Sequence, residues 1–475
     1  MTEKYEMTVG LEVHVELNTD TKIFCSCRAT YGAEPNTQCC PVCMGLPGAL
    51  PTLNRRVVEL AVRAGLATNC SIEKHTRLDR KNYFYPDLPK AYQISQHDRP
   101  LCYGGYISID VGAEKKRIGI ERIHIEEDAG KLIHDSERGT LIDHNRCGIP
   151  LIEIVSAPDI SSAEEAKAYL KKLRSIMIYA GVSECRMNEG ALRCDVNISV
   201  RERGADKLGQ RCEIKNLNSF NFAARAIEYE FCRQAELLER GEIVPCQTRR
   251  FEVSDGKTYP MRDKESAEDY RYFPEPDVLP FEVTEADVSR IARDLPRMPD
   301  ERARAYASEY GLRPYDCDII TSEVAMADYF ERAAVLTKYP KILANIMISE
   351  ILARCSQEGF CCPVSPENLA ELSELSGDKT INSSTLKKLI SRLWESDTSP
   401  REIVEREGLA QIRNREHLFS LALGVIKENA RVVEDYKRGR TAAAKSVVGK
   451  VMAATGGRAE PELLSEIVEE ILKNQ

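Results

Sequence analysis

Residues Gly10-Leu11-Glu12-Val13-His14-Val15-Glu16-Leu17 alternate strictly between apolar and polar side chains. In a β-strand, Leu11, Val13, Val15 and Leu17 face a core, while Glu12, His14 and Glu16 line the opposite face. A fold that accepts this segment needs a sheet with one apolar face and one face carrying carboxylates and an imidazole. Same-face neighbours lie about 6.6 Å apart along a strand. Glu12 and His14 are therefore too distant to chelate one ion closely, but are spaced for two neighbouring ions. A solvated edge strand shows the same alternation, so the other ligands decide.

Further alternations supply such ligands. Arg193-Cys194-Asp195-Val196-Asn197-Ile198-Ser199-Val200 sets Asp195, Asn197 and Ser199 on one face, and Arg211-Cys212-Glu213-Ile214-Lys215 sets Glu213 beside Arg211 and Lys215. The Gly- and charge-rich stretch 201–210 reads as a hairpin connection. A register centred near Gly204 brings Asp195 and Glu213 to the same face. Ile123-His124-Ile125-Glu126-Glu127-Asp128 crowds three acids at a strand end, and Pro150-Leu151-Ile152-Glu153-Ile154-Val155 sets one acid in an apolar run. A buried carboxylate there needs a cation, a base or hydrogen-bond donors. Glu12, His14, Glu153, Asp195 and Glu213 together make an oxygen-rich donor set with one imidazole, which suits Mg²⁺ or Mn²⁺ better than zinc. Such ions serve phosphoryl transfer.

Helices separate these strands. Ser161-Ser162-Ala163-Glu164-Glu165 offers two overlapping capping boxes ahead of Tyr169, Leu170, Leu173, Ile176 and Met177, with a stop near Gly181. A second helix is expected from about Asn221 to Arg240, ended by Gly241. Strands and helices joined partly by a hairpin predict an α+β domain on a mixed or antiparallel sheet. After a proline-rich transition the texture becomes Ala-, Leu-, Glu- and Lys-rich. The expected divisions are an α+β domain over 1–292, an all-helical domain over 293–406, and a small helical tail over 407–475 whose last helix carries Pro461 in its first turn.

At 475 residues the chain is too long for one core, and roughly 150 residues per domain gives two to four domains. The start, Met1-Thr2-Glu3-Lys4-Tyr5-Glu6, has no basic-then-apolar leader, and no apolar run approaches the roughly 18 residues that span a bilayer. A cytoplasmic protein without membrane contact is expected. The net charge of −9 gives no general attraction for nucleic acid, so RNA binding requires a local basic patch. Residues 431–458 supply one, with seven basic and two acidic residues. Its Lys437, Arg438, Arg440, Lys445 and Lys450 are candidate RNA contacts.

The 17 cysteines are odd in number and scattered, which argues for free thiols rather than a disulfide framework. Cys25-Ser26-Cys27 and Cys40-Pro41-Val42-Cys43 are the exception. A CxC and a CxxC pair can supply four thiolates to a structural zinc, with Cys39 spare. A zinc-deaminase reading, with His14-Val15-Glu16 ahead of the CxxC, is the weaker alternative, since Cys39 stands where that signature has proline and Cys25 and Cys27 are left unexplained. No GxxxxGK[ST] loop occurs, so any ATP would have to be held by metal ions and an extended sheet surface. Asp79 through Gln96 interleaves cations, amides and aromatics suited to a single-stranded RNA end.

These residues resemble the GatB family, the B components of aspartyl/glutamyl-tRNA amidotransferases. The resemblance runs nearly end to end, through Val9–Leu17, Asp79–Gln96, Glu126–Lys131, Pro150–Ser156, Leu192–Asp195, Lys215–Phe220, Asp269–Asp277, Tyr436–Arg440 and Val448–Met452. It implies a glutamine-synthetase-like cradle domain, a helical domain and a helical tail that meets tRNA. It implies an ATP-dependent, glutamine-using amidotransferase that phosphorylates the side-chain carboxylate of mischarged Glu-tRNA(Gln) or Asp-tRNA(Asn) and lets ammonia displace the phosphate. One Mg²⁺ would be held by His14, Glu127 and Glu153 and a second by Glu12, Asp195 and Glu213. Only the resemblance selects Glu127, because strand parity leaves Glu126 and Glu127 open. It also implies zinc on Cys25, Cys27, Cys40 and Cys43, and contacts to ATP or the acceptor end from Lys81, Asn82, Tyr83 and Lys215. No segment with paired serines and a catalytic lysine is present in the sequence. Ammonia would therefore come from the family's A-type amidase component, joined by a small C-type component in a heterotrimer.

Overall fold

The computed structural model describes residues 4–112, 114–263, 267–355, 359–437 and 442–474. The chain divides into two units, Met1–Met298 and Pro299–Gln475. The first is built on a nine-stranded sheet. Its strands are β1 (Tyr5–Glu16), β2 (Ser71–Ile72), β3 (Cys102–Val111), β4 (Glu114–Glu127), β5 (Pro150–Ser156), β6 (Leu192–Glu202), β7 (Cys212–Leu217), β8 (Gln247–Glu252) and β9 (Lys257–Asp263). They run in the order β9-β8-β7-β6-β1-β5-β4-β3-β2. Among the described residues of this sheet only β7 and β8 pair in parallel, so the sheet is mixed and the unit is α+β.

The opening strand lies mid-sheet between β5 and β6, which rules out an edge position. Leu11, Val13 and Val15 are fully buried in a core shared with helices α1 (Arg55–Ala67), α2 (Ala163–Tyr179) and α3 (Phe220–Glu239). Helix α2 starts where its caps dictate: Ser162 accepts from the Glu165 amide, while Glu165 accepts from the Ser161 amide at 2.7 Å. The five apolar residues expected on its inner face are all buried. Gly65 lets α1 approach β3, since a Cβ there would fall 2.5 Å from Cys102 Sγ.

The β6–β7 hairpin differs in register from expectation. Asn197 rather than Asp195 stands opposite Glu213, and a bulge separates Cys194 from Val196. A shift of two residues preserves parity, so Asp195 and Glu213 still share a face. A small three-stranded sheet joins Asp79–Asn82 to Tyr92–Ser95 and to Phe273–Pro274. It brings together two motif blocks almost 200 residues apart in sequence.

The second unit is helical and holds two apolar cores. One is formed by residues between Ala305 and Val404, the other by residues between Leu418 and Leu472. Gly408, with φ +59°, ends the helix Pro400–Glu407 before the second core begins. The last helix is Pro461–Lys473. Among the described residues no helix is long and apolar enough to cross a membrane.

Candidate active site

The polar face of β1 gathers two groups of ligand-type side chains. His14 stands opposite Glu153 on β5, which in turn stands opposite His124 on β4. His14 Nε2 lies 3.3 Å from Glu153 Oε2 and 3.4 Å from Glu126 Oε1. On the other side, Glu12 stands opposite Asp195 on β6, and Glu213 of β7 completes that group. Within each trio, His14-Glu126-Glu153 and Glu12-Asp195-Glu213, one donor atom per residue lies within 4.8 Å of the others.

Glu127, expected beside His14 and Glu153, is not brought together with them. Consecutive strand residues point to opposite faces, and Glu126, not Glu127, shares the face of Glu153 and His14. Glu127 is engaged elsewhere: it pairs with the buried Lys90 ammonium and accepts from the Ile94 amide at 2.9 Å. It lines a separate cavity with Lys22, Cys25, Cys43 and Lys90.

Protonation follows the packing. Burial opposes charge on His14, but hydrogen bonding and attraction from Glu153, with Glu126 adding, raise its pKa to about 9. Burial and repulsion from Glu153 lift Glu126 to about 7. Burial, with Arg122 adding, pushes His124 down to about 3 against the pull of the facing Glu153, and it stays neutral. An imidazole and two carboxylates that compete for protons this way form a donor set that a divalent cation fits. Asn197 donates to Glu12 at 2.7 Å, and the buried Thr248 hydroxyl donates to Glu213 at 2.9 Å. These bonds orient two acids of the second group.

Between the groups and the small sheet lies a polar cavity of about 190 Å³, lined by Glu12, Lys81, Arg122, His124, Glu126 and Tyr272 among others. Arg122 donates to the carbonyls of His97, at 2.9 Å, and Gln96. His97 stacks on Tyr272 with ring centroids 4.1 Å apart. Lys81 Nζ lies 4.7 Å from the Tyr270 ring centroid. Acids and cations thus face one another across this cavity.

The cysteines form a third group. Sγ atoms of Cys25, Cys27, Cys40 and Cys43 lie within 4.8 Å of one another. Cys25 donates to Cys43 and, with the Cys40 amide and Lys22 adding, holds its pKa near 4 despite burial. Cys39 turns away to the Asn36 carbonyl at 3.3 Å. Four sulfurs at this separation are compatible with a structural zinc, and they leave no open position.

A family model described as the GatB/GatE catalytic domain matches residues 7–289, and one described as a GatB domain matches residues 328–472. The chain belongs to the GatB family. Curated relatives are named as the B subunits of aspartyl/glutamyl-tRNA(Asn/Gln) amidotransferases. The one from Caldicellulosiruptor saccharolyticus is 50% identical over 477 residues, covering 99% of each chain. That from Caldanaerobacter subterraneus subsp. tengcongensis is 52% identical over 472 residues, again 99% of each. A Clostridium botulinum relative is 48% identical over 471 residues, 98% of this chain and 99% of its own.

The remaining expected contacts of this GatB-family chain divide. Lys81 reaches the polar cavity. Asn82 instead donates to the carbonyls of Tyr270 and Arg271, at 3.3 and 2.9 Å, and so fastens one motif block to the other. Tyr83 packs edge-on against Tyr270 at 6.0 Å. Lys215 lies 3.5 Å from both Asp195 and Glu213. In the tail, Lys445 is exposed, while Lys450 donates to Asn429. Lys437 ends the helix Ala430–Lys437, and Arg438 and Arg440 lie outside the described residues. Arg458, counted in the basic patch, donates to the carbonyls of Thr455 and Gly408 and is a structural tie. Sequence reading missed Arg122, His97, Tyr272 and Thr248. Arg122 adjoins the acidic run Ile123–Asp128, His97 follows Gln96 and Tyr272 lies within Asp269–Asp277, so their neighbourhoods were legible, but their meeting at one cavity depends on tertiary pairing.

Proposed function

We propose that this chain is the ATP-dependent amidating component of a glutamine-using aspartyl/glutamyl-tRNA(Asn/Gln) amidotransferase. The names of its relatives support the substrate, a tRNA mischarged with glutamate or aspartate. The observation that carries the chemistry is the adjacency of two ligand trios on one sheet face beside a cavity lined with cations. His14, Glu126 and Glu153 would hold one divalent ion, and Glu12, Asp195 and Glu213 a second. Bound there, such ions supply neutralisation of the crowded oxygens of a triphosphate and a carboxylate.

The protein's own groups do the rest. Lys81 and Arg122 draw the anionic side chain toward the trios. The His97–Tyr272 stack walls the space. The substrate carboxylate takes the terminal phosphoryl group of ATP, becoming an electrophile. Ammonia then displaces phosphate, leaving the amide. In this reading residues 1–292 do the chemistry, 293–406 form a helical domain, and the tail from 407 meets the tRNA body through Lys437, Arg438, Arg440, Lys445 and Lys450. The four cysteines hold zinc as a local staple. Ammonia is delivered by an amidase partner within a cytoplasmic heterotrimer.

The test is product formation by the assembled enzyme with Mg-ATP, glutamine and either Glu-tRNA(Gln) or Asp-tRNA(Asn). Amide product on at least one is expected, and its absence on both overturns the reading.

A further inference from the structure

Lys215 occupies a place that a divalent ion would contest. Its Nζ lies 3.5 Å from Asp195 Oδ2 and 3.5 Å from Glu213 Oε1, and its side chain is 33% exposed. Three carboxylates with donor atoms inside 4.8 Å repel one another, and an ammonium beside them offsets part of that charge. The same oxygens cannot hold Mg²⁺ at about 2.1 Å and keep an ammonium alongside without strong like-charge repulsion. A four-carbon stem with an exposed side lets the ammonium leave.

The other trio has a lysine too. Lys81 acts electrostatically on Glu126 and Glu153 and sits over the Tyr270 ring. Tyr270 is also an electrostatic neighbour of Lys215. Each acidic group therefore has its own ammonium, and Tyr270 neighbours both. Lys215 is the one drawn into contact, with ion pairs to two acids of its trio.

We propose that Lys215 is a tethered counter-ion of the Glu12-Asp195-Glu213 group, displaced when a divalent ion enters and then free to bind the polyphosphate of the nucleotide. The proposal rests on the two-ion reading above. It makes ion and nucleotide binding reciprocal: the ion releases the ammonium that the polyphosphate takes up, and the polyphosphate removes the ammonium that opposes the ion.

The test follows Lys215 in the assembled wild-type enzyme. Acetylation by an amine-selective reagent is read by peptide mass spectrometry with and without Mn²⁺, and then with a non-hydrolysable ATP analogue added. Mn²⁺ is expected to raise Lys215 labelling severalfold, and the analogue to lower it again. In parallel calorimetry, Lys215→Gln is expected to tighten Mn²⁺ binding at the Glu12-Asp195-Glu213 group roughly tenfold. Because the labelling needs no variant, it stands even where Lys215→Gln fails to fold. Two Mn²⁺ ions bound with Lys215 labelling unchanged overturns the counter-ion role alone. Labelling that stays high with the analogue overturns the hand-over to polyphosphate. Absence of a second Mn²⁺ in both wild type and Lys215→Gln overturns the two-ion reading and this proposal with it.

Discussion

His14 and Glu153 face each other directly across β1 and β5, with Nε2 3.3 Å from Oε2. On its other flank Glu153 faces His124, whose Nε2 is 3.6 Å away. One carboxylate therefore stands between two imidazoles of opposite tendency. His14 holds its proton to about pH 9, whereas burial keeps His124 neutral down to about pH 3. A cation entering this trio has to displace the His14 proton.

Divalent affinity at the His14 trio is therefore expected to rise with pH. Below about 7 both Glu126 and His14 carry protons that compete with the ion, and above about 9 both are free to ligate. The climb falls between those values, accompanied by proton release. Mn²⁺ calorimetry in buffers of different ionisation enthalpy measures both quantities. Affinity independent of pH from about 6 to about 9 would contradict the assignment of His14.

Glu126 and Glu127 should separate cleanly. Glu126→Gln is expected to weaken Mn²⁺ binding at this trio and to lower amidation with free ammonia by about 10²–10³-fold. Glu127→Gln leaves Mn²⁺ affinity nearly unchanged but strands the buried Lys90 ammonium, destabilising the fold by about 3–5 kcal/mol. Urea unfolding and Mn²⁺ titration of the two variants distinguish them, and the reverse pattern would restore Glu127 as the ligand.

The zinc ligands are tested through the adjacent pair Cys39-Cys40. Cys40→Ser should abolish stoichiometric zinc and lower thermal stability, because the loop it closes has no comparable core. Cys39→Ser should retain one zinc per chain, since its thiol bonds to Asn36 instead. Metal analysis after dialysis reads the difference. Equal loss in both would bring Cys39 into the sphere.

Much of this architecture is legible from side-chain period and caps. The alternation in β1 put Glu12 and His14 on one face and their spacing along the strand set them in different trios, while parity is insensitive to a register shift of two, which is why the Asp195–Glu213 grouping survived one. Ser161, Ser162 and Glu165 fixed the start of α2 by purely local hydrogen bonds. Parity could not choose between Glu126 and Glu127, because that choice depends on which β4 residue stands opposite Glu153. The meeting of Asn82 with Tyr270 and Arg271 was likewise hidden, since nothing local records a pairing between segments so far apart. Arg458 looked like part of a phosphate-binding patch because charge counts ignore carbonyls such as that of Gly408.

The tail carries a measurable share of RNA binding in this account. Ending the chain at residue 407 removes the core from Leu418 to Leu472 while sparing the one before it. The expected result is tRNA affinity weakened by about tenfold or more with a shallower salt dependence, and amidation with free ammonia retained at high tRNA concentration. Filter binding across a salt series reads both, and unchanged affinity would remove the tail from the RNA interface.

The most direct measurement follows oxygen. Glu-tRNA(Gln) or Asp-tRNA(Asn) carrying ¹⁸O in both side-chain carboxylate oxygens is amidated by the assembled enzyme with unlabelled ATP, and the released phosphate is analysed by mass spectrometry. Passage through a phosphorylated carboxylate requires one ¹⁸O to leave with phosphate while the other stays in the amide. Phosphate bearing one ¹⁸O per amide formed is the predicted result. Phosphate free of ¹⁸O would contradict phosphoryl transfer to the carboxylate and, with it, the function assigned to the two trios.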